Sequence, residues 1–130
     1  MKKAIVCVDD DILILQSLKS QLKDIFNGEF LTEIAESPSE ALELIDFLAE
    51  KGIELVLIIC DWLMPDMRGD TLLKELKNKG IHVRAIMLSG QADALAVEKA
   101  FESGLLAFFI PKPWQAEDLA EKIRLLLPKV

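Results

Sequence analysis

Several polar residues stand where apolar runs end. Asp9, Asp10 and Asp11 follow the run Ala4–Val8, and Asp61 follows Leu55–Cys60. Ser89 follows Val83–Leu88, and Lys112 comes after Leu106–Ile110, held between Pro111 and Pro113. Carboxylates brought together repel one another, so such a cluster calls for a cation. An all-oxygen ligand set suits magnesium, with manganese as the alternative ion. Lys112 offers a compact positive charge, and the Ser89 hydroxyl can donate to a phosphoryl oxygen. A carboxylate nucleophile, a metal, a lysine and a serine together make a set for forming and breaking an acyl phosphate. Taken singly, each is ordinary. Paired aspartates are often solvated turn residues, an Asp or Ser at a strand end often caps a helix, and a lone lysine usually sits on the surface. The chemistry lies in their joint placement.

Five apolar runs must position these residues: Ala4–Val8, Phe30–Ile34, Leu55–Cys60, Val83–Leu88 and Leu106–Ile110. The third is apolar throughout, as in a strand covered on both faces, whereas the second alternates, as in one nearer an edge. Helical spacing fills the intervals. Ile12, Leu15, Leu18, Leu22 and Ile25 recur at three- and four-residue steps. Ser37-Pro38-Ser39-Glu40 reads as a capped helix start, followed by the stripe Ala41, Leu44, Ile45 and Leu48. Leu72, Leu73 and Leu76 mark a third helix, stopped at Asn78–Gly80. A fourth is expected over Ala92–Ser103 with Gly104 as its cap, and a fifth over Gln115–Leu127 before Pro128. This alternation predicts a (βα)5 unit, a doubly wound parallel sheet with helices on both faces. Strand order 2-1-3-4-5 is one common solution, and periodicity alone does not select it. Sites in such sheets form beyond the carboxyl ends of the strands. If the first and third strands are neighbours, their aspartates converge.

Length and charge narrow the field. With 130 residues, the chain has the size of one domain, expected over residues 1–130. A net charge of −7 and a pI near 4.7 argue against direct nucleic-acid binding and against a polybasic membrane surface. No apolar run approaches the ~18 residues of a membrane span, and three aspartates end the N-terminal run at once. The expectation is a cytoplasmic protein without membrane insertion. Cys7 and Cys60 sit inside apolar strand-like runs and read as buried structural thiols.

With VDDD at Val8–Asp11, DWLMPDMRG at Asp61–Gly69, MLSG at Met87–Gly90 and PKPW at Pro111–Trp114, the chain resembles the receiver domain of two-component response regulators over essentially its whole length. The resemblance implies the flavodoxin-like fold with strand order 2-1-3-4-5. It implies magnesium held by Asp9, Asp10, Asp61 and the backbone carbonyl of Leu63. Asp61 matches the phosphoryl acceptor, Ser89 the hydroxyl that follows the phosphoryl group, and Lys112 the lysine that pairs with it. Phe109 matches the aromatic switch position, although it lacks the hydroxyl of the more usual Tyr, so a switch here rests on packing. Leu63 and Gln91 match positions that tune phosphoryl lifetime. Asp11 falls one place past the acidic pair and is left outside the site. The stretch GLLAFFIPKPW further resembles receivers attached to hybrid sensor kinases or to cyclic-dinucleotide phosphodiesterases.

The resemblance implies a histidine kinase or phosphotransfer protein as donor, since His82, the one histidine, precedes the fourth strand away from the site. Output is expected through the face of the fourth helix, fifth strand and fifth helix, toward a downstream protein or a homodimer. The chain is then a self-modifying switch and not a turnover enzyme. Two other classes stand beside it. A pure interaction module has no need of Asp9, Asp10, Asp61, Ser89 and Lys112 together. An aspartate-nucleophile phosphatase carries its nucleophile in an Asp-x-Asp pair after the first strand, whereas Asp61 is followed by Trp62 and Leu63. Trp62 and Trp114, each close behind a site residue, are expected either as partner anchors or as loop packing.

Overall fold

The computed structural model describes residues 2–90, 94–102 and 104–127. Its elements run β1 (Lys3–Val8), α1 (Ile12–Phe26), β2 (Leu31–Ala35), α2 (Pro38–Glu50), β3 (Glu54–Asp61), α3 (Gly69–Asn78), β4 (Arg84–Ser89), α4 (Ala94–Glu102), β5 (Leu106–Pro111) and α5 (Ala116–Leu126). The strands form one sheet in the order β2-β1-β3-β4-β5, with every pairing parallel. The expected doubly wound architecture and its strand order are therefore present.

Side-chain alternation along the strands feeds two core layers. One contains Val6, Val8, Ile58, Cys60, Met87 and the stripe Leu72, Leu73 and Leu76 of α3. The other contains Ile5, Cys7, Ile59, Leu88 and the stripe Leu15, Leu18 and Leu22 of α1, with Leu119 and Ile123 of α5. Each fully buried leucine is worth roughly 1.5–3 kcal/mol relative to exposure, so these stripes pin the helices to the sheet. The edge strand β2 is only half-buried along most of its length, which explains its alternating sequence.

Local signals start the helices. The Ser37 hydroxyl accepts from the Glu40 N–H at 3.1 Å, with Pro38 in the first turn. Asp11 caps α1 by accepting from the Leu13 N–H at 2.9 Å. Gln115 is the cap position of α5 and not its first residue. The expected ends of the fourth helix, Ala92 and Ser103, lie outside the described residues, as does Pro128. Both cysteines are buried and unpaired, and burial pushes each thiol up to about 12. They remain protonated, in keeping with structural thiols.

Candidate functional site

The central pairing of β1 with β3 sets Val8 beside Cys60, so the residues that follow, Asp9 and Asp61, emerge at the same sheet edge. The next pairings carry the others there: Asp61 lies in register with Leu88, and Ser89 with Pro111. A backbone hydrogen bond from the Lys112 N–H to the Ser89 carbonyl (3.1 Å) continues the β4–β5 ladder into the loop that carries the lysine. Parallel strands end together, and that alone gathers residues from four separate stretches of sequence.

Asp9 and Asp61 are 2% and 8% exposed and Ser89 is 3% exposed, whereas Asp10 faces solvent. Asp9, Asp10 and Asp61 each present an oxygen, and these oxygens all lie within 4.8 Å of one another. Lys112 Nζ donates to Asp9 Oδ2 at 2.8 Å and lies 3.6 Å from Asp61 Oδ2. Asp9 Oδ1 accepts from the Asp11 N–H at 2.9 Å, so its two oxygens are both engaged. Burial, reinforced by the charge of Asp9, raises the Asp61 carboxyl above its ordinary range despite the opposing Lys112. Burial pulls Lys112 the other way from its carboxylate partners, but the hydrogen bond to Asp9 and the charges of Asp9 and Asp61 prevail and raise it. The lysine is thus firmly protonated, while the carboxylates remain short of positive charge.

The loop after Asp61 folds back on it. The Gly69 N–H donates to the Trp62 carbonyl at 2.8 Å. A Cβ at Gly69 would stand 2.5 Å from the Asp61 carbonyl oxygen and 2.9 Å from Met87 Cε. Only hydrogen fits against that backbone, so glycine here is a matter of space. Trp62 is 3% exposed and belongs to the core, which resolves its two readings in favour of packing. The Arg68 guanidinium covers its ring at 5.3 Å from the centroid. Arg68 in turn faces Asp70, with Nε 3.3 Å from Oδ1 and a hydrogen bond to Oδ2 at 3.4 Å. Asp70 is 1% exposed. Trp114 is half-buried, and its indole N–H donates to Gln21 Oε1 of α1 at 2.9 Å.

The site residues named from sequence thus separate into groups. Asp9, Asp10, Asp61, Ser89 and Lys112 meet at one end of the sheet. Leu63 lies in the loop that follows Asp61 and is 47% exposed. Phe109 is half-buried on β5, in register with Met87 and packed in the same core layer. Asp11 is a helix cap, and His82 is exposed ahead of β4. Gln91 lies outside the described residues. Asp70 and Arg68 were not singled out from sequence. A signal existed: Asp70 stands three residues before Leu73, on the face that α3 buries.

Residues 5–124 match the family described as "Response regulator receiver domain". The chain is 36% identical to the sensor kinase CckA of Brucella abortus over 99 residues, which is 73% of this chain and 10% of that protein. It is 31% identical to the response regulator MprA of Mycobacterium ulcerans over 127 residues, 98% of this chain and 51% of that one. The chain therefore spans about a tenth and about half of the lengths of these relatives. Among solved structures, the CheY-like response regulator receiver domain protein from Methanospirillum hungatei superposes with a TM-score of 0.81 at 31% identity, covering 95% of this chain and 92% of that one. The chain belongs to the response regulator receiver domains of two-component signalling.

Proposed function

We propose that Asp61 is the phosphoryl acceptor of this receiver domain. The observation that carries the reading is the approach of Lys112 Nζ to both Asp9 and Asp61, 2.8 and 3.6 Å away, beside three carboxylate oxygens within 4.8 Å of one another. One lysine cannot neutralise three carboxylates, and burial, with the charge of Asp9 added to it, raises the Asp61 carboxyl. The donor set, all hard oxygen, fits magnesium, with manganese as a substitute. Asp9, Asp10, Asp61 and the Leu63 carbonyl would hold it. When bound, the ion supplies charge neutralisation for the transferring phosphoryl group.

In the transfer, an Asp61 carboxylate oxygen attacks the phosphorus of a phosphohistidine in line. The P–N bond breaks, and its electron pair stays on the imidazole, which takes a proton. The donor is a histidine kinase or a phosphotransfer protein. Lys112 stabilises charge on the phosphoryl oxygens, and Ser89 donates its hydroxyl to one of them. Hydrolysis by water breaks the P–O bond and restores Asp61, so the protein is a self-reversing switch and not a turnover enzyme. Leu63 and Gln91 would tune how long the phosphoryl group lasts.

The added group carries about −1.5 to −2 charges. Ser89 moving toward it shifts the end of β4, and with it Met87, against which Phe109 packs. The α4-β5-α5 face then changes shape for a downstream protein or a second copy of the chain. Phosphorylation acts only through its different interaction with the two states. Residues 1–130 form one receiver domain in this reading, acting in the cytoplasm and without direct contact to nucleic acid. The resemblance of GLLAFFIPKPW to hybrid-kinase and phosphodiesterase-linked receivers points toward such a system.

Incubation with acetyl phosphate and magnesium, read by intact mass, tests the reading. The expected result is a gain of one phosphoryl group that is absent in Asp61→Asn. A folded protein that gains none would instead be an interaction module, and steady hydrolysis of varied phosphate esters would point to a phosphatase.

A further inference from the structure

We infer that Asp70 and Arg68 are positioning residues that hold the loop from Trp62 to Arg68 in the shape the Asp61 site requires. The inference rests on the reading of Asp61 and its neighbours as a metal-assisted phosphoryl acceptor site.

Asp70 is a charged residue in the first turn of α3, yet it is 1% exposed. Its Oδ1 makes no hydrogen bond, and the Arg68 Nε 3.3 Å away is its ion-pair partner. A buried carboxylate so sparsely satisfied is a poor stabilising device. What it does hold is Arg68, whose side chain is 56% exposed and would otherwise be free to leave. Held there, the guanidinium lies over the Trp62 ring. Trp62 directly follows Asp61, and its carbonyl accepts the Gly69 N–H that closes the loop. Gly69 in turn rests against the Asp61 carbonyl. The clasp therefore spans both ends of the loop, and Leu63, whose carbonyl is the proposed metal ligand, lies inside it. Attraction between a guanidinium and an indole face adds to the ion pair and depends on the planar cation. Asp70 acts on the site through Arg68 and Trp62, without touching the reacting atoms.

The test uses the full chain with Asp70→Asn, Arg68→Met, Arg68→Lys and the Asp70→Asn/Arg68→Met double variant. Phosphorylation by acetyl phosphate is followed across magnesium concentration. Expected is a rise of about 3- to 10-fold in half-saturating magnesium for each neutral single variant, with the limiting rate within about twofold of wild type. The double variant should be no worse than the larger single, because both remove one clasp, and Arg68→Lys should be intermediate. A second readout needs no metal: in a Trp114→Phe background, quenching of Trp62 emission by acrylamide should increase about twofold in Asp70→Asn. Ile123→Val, in the opposite core layer, serves as a merely destabilised control and should move neither quantity. Unchanged half-saturation and quenching in folded variants would overturn the inference, as would equal changes in the control. If Asp70→Asn does not fold, Arg68→Met, altered at a largely exposed side chain, decides alone. Failure of the wild type itself to accept phosphate would instead overturn the acceptor reading.

Discussion

Two loops follow site residues, and each is tethered by a tryptophan in a different way. Trp62, after Asp61, is buried and covered by an arginine that a buried carboxylate holds. Trp114, two positions after Lys112, is half-buried and tied to Gln21 by one neutral hydrogen bond at 2.9 Å. The first loop also folds back onto backbone, with Gly69 against the Asp61 carbonyl. The second leans on a side chain of α1. Tolerance should differ accordingly, since backbone contacts cannot give way as side chains can.

The largest effect is expected at Gly69. Gly69→Ala puts a methyl 2.5 Å from the Asp61 carbonyl oxygen and should cost about 3 kcal/mol, the upper end of overpacking. Gly90, with nothing within 4 Å of an added Cβ, should accept alanine within about 0.5 kcal/mol. Urea unfolding of the two variants measures the contrast, and equal losses would abolish it.

Trp114→Phe removes the tie to Gln21 and some buried ring, and should cost about 1–2 kcal/mol by the same measurement. A loss as large as that of Gly69→Ala would place the two loops on the same footing.

Charge sets a third, smaller effect. The Asp61 carboxyl is raised above 3.8, chiefly by burial and then by Asp9. The native state therefore binds more protons than the unfolded chain between 3.8 and the folded value, so stability falls as pH rises through that window. Above the folded value the whole cost is present, and below 3.8 it is gone. In metal-free buffer, Asp61→Asn should be more stable than wild type at pH 7, by on the order of 1 kcal/mol, and equal to it near pH 3.5. Urea melts at both values check the sign, and a destabilised Asp61→Asn at pH 7 would contradict the picture of crowded, under-neutralised carboxylates.

The smallest effect belongs to Gln21→Leu. It leaves the indole N–H of a half-buried ring within reach of water, so about 0.5–1 kcal/mol should be lost. Lys112-dependent phosphorylation should fall less than twofold, because the Lys112 N–H remains bonded to the Ser89 carbonyl.

Much of this was legible in the chain. The five apolar runs became β1 to β5 with ends shifted by at most one residue, because strand hydrogen bonding extends past the last apolar side chain to Asp61, Ser89 and Pro111. Ser37 capped its helix as its type and spacing required. Asp9, Asp10, Asp61, Ser89 and Lys112 could be named in advance because residues at the carboxyl ends of parallel strands share one edge. The triple aspartate also separated: Asp11, left outside the site, turns out to cap α1, while Asp9 and Asp10 join the cluster.

What sequence alone determined is therefore the set of elements and which polar residues gather at the candidate site, since both follow from local periodicity and from residue type at strand ends. The tertiary structure decided the rest. Strand order brought β1 beside β3, which periodicity leaves open because it is a choice among long-range pairings. It also decided which charges are buried. Asp70 looks like any acidic residue at a helix start, and Trp62 like any exposed aromatic beside a site, until α3 packs and encloses both. Burial depends on neighbours far apart in the chain: the spacing of Asp70 before Leu73 indicates a helix face, but not how completely that face is enclosed.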